Sequence, residues 1–229
     1  MFYNKRYTKN HNAITEEEQL LLSKKTITVI GCGGLGGHIV SQLARIGVGH
    51  LRIVEFDTFD ATNLNRQIFC HTENIGFSKI IETEKQLKLI NPDIQITSFP
   101  VRFTEENSSE VLKDSDIAID ALDSVASRLI LQKACKNQNI PLVSAAIGGW
   151  YGQLTIIYPG DDTLDKIYKD PKQKGIETEL GNPAFTPALL ATLQVTETVK
   201  ILLGKSNFPA NKVLIIDLLN LDFKYYALE

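Results

Sequence analysis

The chain has 229 residues, 43% of them hydrophobic and 22% charged, with a formal net charge of −3. That is the size and make-up of one large α/β domain; the acidic balance argues against a broad nucleic-acid or membrane surface, and no apolar run reaches the roughly 18 residues of a membrane span. The N-terminal "MFYNKRYTKNHN" is basic but has no apolar stretch of the kind a signal peptide carries, so the expected location is the cytoplasm.

From the N-terminus, "ITEEEQLLLS" reads as a helix. Thr15 and Glu18 have capping-box spacing, and Leu20, Leu21 and Leu22 supply apolar surface. "TITVIG" reads as a buried strand, "LGGHIVSQLARIG" as a helix stopped at Gly47, and "HLRIVEFD" as a second strand. "NIGFSKIIETEKQLKLIN" carries a helix that Pro92 closes. "DIQITSFPV" is a third strand, "TEENSSEVL" a short helix, "SDIAIDALD" a fourth strand ending in acids, "SVASRLILQKACKNQN" a helix and "IPLVSAAIGG" a fifth strand. This alternation, sustained to about residue 147, predicts an α/β fold with a Rossmann-like, doubly wound, mostly parallel sheet. In such sheets ligands sit beyond the carboxyl ends of the strands.

The pattern then changes. "WYGQLTIIYP" is a strand with no crossover helix before it. Residues 160–185 are polar and interrupted by Gly and Pro, which predicts a mobile crossover loop. "PALLATLQVTETVKILLG" is a strongly apolar helix, with Pro187 near its first turn and Gly204 at its end. "KVLIIDLL" and "DFKYYAL" are late strands, expected to be antiparallel neighbours. The whole is expected to be a single domain over 1–229, with an N-terminal helical arm at 1–25.

Cys32, Cys70 and Cys135 are far apart and form no C-x-x-C pair, which argues against a disulfide framework and a four-thiolate zinc site. Each reads as a small buried hydrophobe. The four histidines show no metal-ligand spacing.

Gly31, Gly33 and Gly36 fit G-x-G-x-x-G, with Gly34 and Gly37 added, between a strand and a helix. Glycine lets the backbone approach a phosphate, and the helix N-terminus offers free N–H groups and a positive dipole end. Glu55 ends the next strand, 24 residues past Gly31, where a ribose-binding acid is expected. This pattern indicates a nucleotide without choosing between NAD and ATP.

"EFDTFDATNLNRQIFCHTENIGFSK" narrows the choice. Asn63, Arg66, Gln67 and Lys79 have little use around a nicotinamide, whereas Arg66 and Lys79 together give a planar fork and a point charge for triphosphate oxygens. Asp123, at the end of the fourth strand, is placed to hold Mg²⁺ through oxygen; Asp120 is its rival, and Asp123 has the competing reading of a helix cap.

The segments "GCGGLGG", "VEFDTFDATNLNRQ", "IGFSK", "INPDIQI", "IDALDSVASR", "IPLVSAAIGGWYGQ" and "QVTETVKILLG" resemble, in order, the ThiF/MoeB/HesA family, bacterial relatives of ubiquitin-activating enzymes. The resemblance implies ATP-dependent adenylation of the C-terminal carboxylate of a small β-grasp, ubiquitin-like carrier ending in Gly-Gly, with pyrophosphate released. It implies a nucleotide held by Gly31, Gly33, Gly34, Gly36, Glu55 and Asn63, with Arg66 and Lys79 on phosphates and Asp123 on magnesium. Asp57, Gln67 and Arg128 match the pattern without a settled role. A homodimer is implied, with no nucleic acid or membrane as partner.

Several departures shape the expectation. The zinc-binding C-x-x-C pairs of many members are missing, so no zinc is expected. Residues 151–229 contain no cysteine, which implies pure adenylation with sulfur supplied by another protein. "RYTKN" puts Lys9 where the family places an arginine that reaches the partner's site; lysine lacks the bidentate fork. Glu55 stands for the usual aspartate, and Ser124 for a frequent asparagine. "GGWYGQ" has two readings: a narrow channel for a Gly-Gly tail, or Trp150 and Tyr151 as core aromatics. The alternatives at this point are adenylation of another carboxylate or a tRNA base, an NAD-dependent oxidoreductase, and a non-catalytic partner subunit.

Overall fold

A computed structural model describes residues 5–170 and 175–228. Eight strands form one sheet: β1 (Thr26–Ile30), β2 (His50–Val54), β3 (Gln95–Phe99), β4 (Ile117–Asp120), β5 (Leu142–Gly148), β6 (Tyr151–Ile157), β7 (Lys212–Asp217) and β8 (Asp222–Ala227). Their order is β3-β2-β1-β4-β5-β6-β7-β8. The first five are parallel and the last three join antiparallel. The expected architecture holds, including the antiparallel pair of late strands. From β1 the chain winds outward to β2 and β3, then returns to β4 on the other side. The switch point, where a crevice opens beyond the strand ends, therefore lies between β1 and β4.

The helices are α1 (Glu16–Leu22), α2 (Gly34–Ile46), α3 (Lys79–Ile90), α4 (Ser108–Val111), α5 (Val125–Gln138), α6 (Thr163–Ile167), α7 (Glu177–Leu180) and α8 (Phe185–Leu202). The α1 capping box forms as the spacing predicts: Glu18 N–H donates to Thr15 Oγ1 at 3.2 Å, and Thr15 N–H to Glu18 Oε2 at 3.0 Å. In α8 the buried positions Pro187, Leu190, Ala191, Gln194, Val195 and Thr198 recur at helical spacing. They press against α2, whose own buried stripe is Leu35, Ile39, Val40, Leu43 and Ala44. One face of the sheet carries α2, α3 and α8 over Ile27, Val29, Leu51 and Ile53. The other carries α4, α5 and α6 over Ile30, Val54, Ala118 and Leu142. The sheet is thus covered on both sides, which explains the continuous apolar runs of its parallel strands.

Two local expectations need correction. Within 160–185, α6 and α7 form where the sequence reads as loop. α6 is tied down: Leu164 is buried, its N–H donates to Gln132 Oε1 at 2.6 Å, and Gln132 Nε2 donates to Asp165 at 2.6 Å. Residues 171–174 of that loop lie outside the described residues. In "GGWYGQ", Gly149 (φ 58°) and Trp150 make the tight turn of the β5–β6 hairpin, closed by the Gly148–Tyr151 pair. A Cβ at Gly152 would lie 2.5 Å from Leu190, so that glycine admits α8 to the sheet. Trp150 and Tyr151 are 44% and 41% exposed; they are surface aromatics rather than core. Among the described residues, no helix is long and apolar enough to cross a membrane.

Candidate active site

At the switch point lies a cleft of about 420 Å³, lined by Gly31, Gly33, Gly34, Glu55, Asp57, Asn63, Arg66, Gln67, Lys79 and Asp123, among others. Residues scattered over more than ninety positions of sequence are brought to one place by the ends of β1, β2 and β4.

The glycine turn has two jobs. Gly31 leaves β1 at φ 102°, and a Cβ there would lie 2.6 Å from the Ala121 carbonyl oxygen. A Cβ at Gly36 would lie 1.8 Å from the Gly31 carbonyl oxygen, so Gly36 is where α2 packs onto the turn. Gly36 is buried behind the turn, while the cleft wall itself is made by its neighbours. Gly33 and Gly34 do line it. Gly33 caps α2 without a side-chain bond, leaving the first amides of the helix for a ligand.

Glu55 is buried, and its carboxylate accepts three backbone N–H groups: Cys32 at 3.0 Å, Phe56 at 2.8 Å and Asp57 at 3.0 Å. It ties the glycine turn to the end of β2, and only its remaining lone pairs face a ligand. The nearby Asn63 is buried; its Oδ1 accepts from Asp60 N–H at 3.1 Å, while its Nδ2 has only a 3.5 Å contact to Thr62 Oγ1. Its amide donors are therefore largely uncommitted.

The two cations approach from the segment after β2. The Arg66 side chain passes 3.5 Å from the position of a Cβ on Gly34, steadied by the Thr62 carbonyl at 3.0 Å and Asn65 Oδ1 at 2.9 Å. Lys79 is the first residue of α3 and is 7% exposed, with Nζ 3.5 Å from Asp57 Oδ2. A lysine at a helix N-terminus opposes the macrodipole, and burying it costs further; such a violation of local preference marks a functional site. Gln67 is buried against the same wall, and its Oε1 has no hydrogen-bond partner among the described residues.

The two aspartates separate cleanly. Asp120 is fully buried: Oδ2 receives Ser144 Oγ–H at 2.6 Å and Arg128 at 3.1 Å, and Oδ1 receives Leu122 N–H at 2.9 Å. Arg128 also donates to the carbonyls of Ala145, at 2.5 Å, and Leu122. Arg128 is thus a buried clamp on the turn after β4. Asp123 is exposed in the cleft, and its side chain has no hydrogen bond or ion pair among the described residues. The competing reading of Asp123 as a helix cap fails, because Ser124 caps α5 through Oγ to Ser127 N–H at 3.2 Å. A free carboxylate beside two cations suits a hard divalent ion bridging to phosphate, and Asp120 has no oxygen to spare.

Sequence reasoning missed the wall formed by Phe56, Val101, Arg102, Phe103 and Leu122. "FPVRF" follows the third strand, so the strand-end rule is the signal that marks it. None of the three thiols is among the residues lining the cleft. Cys32 and Cys135 are buried, and burial pushes both thiols up, Cys135 to about 12. Cys70 is only half-buried, against expectation, and burial raises it too.

The model of the ThiF family matches residues 7–229. The chain is 31% identical over 219 residues to a "Sulfur carrier protein adenylyltransferase" of Thermus thermophilus, covering 91% of this chain and 80% of that protein. It is 33% identical over 204 residues to an "Adenylyltransferase and sulfurtransferase MOCS3" of Aedes aegypti, covering 87% of this chain but only 46% of that one. In fold it is similar to the crystal structure of E. coli MccB with MccA-N7isoASN, at a TM-score of 0.85, 20% identity, and coverage of 98% of this chain and 72% of that one. On the family match and the relatives at 30% identity or more, this chain belongs to the ThiF family.

Proposed function

We propose that this chain adenylates the C-terminal carboxylate of a small ubiquitin-like, β-grasp carrier protein ending in Gly-Gly, using ATP and releasing pyrophosphate. One observation carries the reading: Arg66, Lys79, the open amides of α2 and the unpaired Asp123 converge on one cleft at the switch point. A carboxylate oxygen of the carrier attacks the α-phosphorus. The bond from that phosphorus to the bridging oxygen breaks, and pyrophosphate leaves with its electron pair.

The carboxylate is already a nucleophile, so no side-chain nucleophile or strong base is needed. The work left to the protein is alignment and charge neutralisation. The α2 amides and Arg66 bind phosphate oxygens, Lys79 takes up charge as pyrophosphate departs, and Asn63 donates to a phosphate or ribose oxygen. Glu55 holds the turn and offers its spare lone pairs to the ribose. Magnesium at Asp123 would supply further charge neutralisation on the phosphates.

The name of the Thermus relative supports a sulfur carrier as substrate over another carboxylate or a tRNA base. The paired cations support a triphosphate over NAD, and the intact set of Arg66, Lys79 and Asp123 supports a working enzyme over a non-catalytic subunit. A homodimer belongs to the reading. Residues Lys5–Asn10 form a 3-10 helix, Tyr7 lies against Gly47, and Lys9 is exposed and absent from the cleft wall. Any service by Lys9 is then to the cleft of a second copy.

The test is pyrophosphate–ATP exchange with Gly-Gly-ending carrier proteins. Exchange that depends on the carrier's free C-terminal carboxylate is the expected result. ATP binding without exchange for any such carrier would overturn the substrate assignment.

A further inference from the structure

The cleft has a second wall that the adenylation chemistry does not use. The Arg102 guanidinium carbon lies 4.3 Å from the centroid of the Phe56 ring, and both residues line the cleft. Phe56 is 47% exposed, an unusual state for a phenylalanine beside a buried carboxylate. Arg102 is exposed and pairs with no carboxylate among the described residues. Its backbone is nonetheless fixed: its carbonyl accepts Asn107 Nδ2–H at 2.8 Å, and Asn107 Oδ1 accepts Thr104 N–H at 2.9 Å. An arginine on a pinned turn, lying over an aromatic ring in a cleft, is a stacking element rather than a solvated surface charge.

The order of the strands says what it stacks on. The glycine turn ends β1, the Glu55 carboxylate ends β2, and Val101–Phe103 follow β3. Neighbouring strands lie about 4.8 Å apart, so the Arg102 turn is on the order of 10 Å from the glycine turn across the sheet. A nucleotide with its phosphates on α2 and its ribose at Glu55 points its base at Phe56 and Arg102. Resting on the proposed ATP-dependent reaction, we propose that Arg102, stacked on Phe56, is a base-recognition residue that clamps the purine ring of the nucleotide and leaves the phosphates to Arg66 and Lys79.

The experiment compares two ligands, ATP-Mg and inorganic tripolyphosphate-Mg, by calorimetry on the full-length wild type, Arg102→Ala and Phe56→Ala. Loss of one cation–π clamp is expected to weaken ATP by about 3- to 30-fold in each variant, with tripolyphosphate changed less than two-fold. The double variant is expected to be no weaker than the worse single one, because the two residues act as a unit. Equal weakening of both ligands by Arg102→Ala places the guanidinium on the phosphates and overturns the proposal. Unchanged ATP affinity in Arg102→Ala also overturns it. Failure of the wild type to bind ATP strikes instead at the adenylation reading on which this rests. Circular dichroism and thermal melts of each variant separate a binding effect from misfolding.

Discussion

Lys79 Nζ sits 3.5 Å from Asp57 Oδ2, with the lysine side chain 9% exposed and the aspartate 49%. The pair is lopsided: a buried cation at a helix N-terminus is balanced by a carboxylate that half faces water. Such a contact contributes little to stability, since the aspartate is solvated with or without it. In the proposed reaction a phosphate would take the place of this weakly held aspartate beside the ammonium.

Lys79→Ala is therefore expected to leave the fold standing and slow the chemistry severely. The lost charge stabilisation resembles a lost oxyanion donor, about 2.7–4 kcal/mol, which is 10²–10³ in exchange rate. Thermal melts should move by a few degrees at most. Exchange at wild-type rate would remove Lys79 from the mechanism.

Asp120 and Asp123 give opposite expectations despite lying three residues apart. Asp120→Ala leaves Arg128 buried without its counter-charge, and breaking a buried pair costs about 3–5 kcal/mol. Denaturant melts should show that loss. Asp123→Ala removes an exposed carboxylate with no protein partner, so stability should change by no more than ~0.5 kcal/mol. Its exchange rate should fall steeply and need more magnesium to reach half-maximum. A large stability loss for Asp123→Ala, with an unshifted magnesium requirement, would reverse the two assignments.

How much of this was readable beforehand follows from where the physics is local. The capping box at Thr15, the strand–glycine–helix turn and the alternation of strands and helices are short-range patterns, and each formed at its expected place. What the sequence left open was non-local. Gly36 reads like its neighbours in the motif, but the Gly31 carbonyl oxygen, 1.8 Å from where its Cβ would be, also makes it the point where α2 packs on the turn. Asp120 and Asp123 are chemically identical in sequence; Ser144 and Arg128, brought in from β5 and α5, decide which is consumed. Trp150 and Tyr151 have core composition but fall at the β5–β6 hairpin, Trp150 in its turn and Tyr151 at the exposed start of β6. The Val101–Phe103 part of the cleft wall follows β3, whose turn carries no motif, so only the topology places it beside β2.

The two halves of the glycine motif separate experimentally. Gly36→Ala drives a methyl into backbone that has no flexible end to yield, so it should cost at least the ~1–3 kcal/mol of ordinary overpacking. Gly34→Ala meets only the Arg66 side chain, at an ordinary 3.5 Å, and sits in the first turn of a helix, where alanine is favoured. It should fold normally and bind ATP more weakly, because the methyl takes space next to the phosphate-binding amides. Normal ATP affinity in a well-folded Gly34→Ala variant would move the phosphates elsewhere.

The thiols yield a pH prediction with a definite sign. Burial raises Cys135 from an ordinary 9.0 to about 12, with the Asp120 charge adding to it, so the folded protein keeps the proton while the unfolded chain loses it. The thiol's contribution is intact below about pH 9. Above that, ionisation favours the unfolded state by about 1.4 kcal/mol per pH unit until the folded thiol itself titrates near 12. Cys135→Ala should remove this component, so its stability should fall less steeply with pH than that of the wild type between about pH 9 and 12. The difference in burial predicts that iodoacetamide at pH 8 labels the half-buried Cys70 in the native protein and reaches Cys32 and Cys135 only after denaturation. Mass spectrometry reads the order directly. If blocking Cys70 leaves exchange untouched, the reaction runs without a protein thiol, as a pure adenylation requires; if exchange stops and Cys70→Ser shows the same loss, a covalent step through that sulfur has to be added.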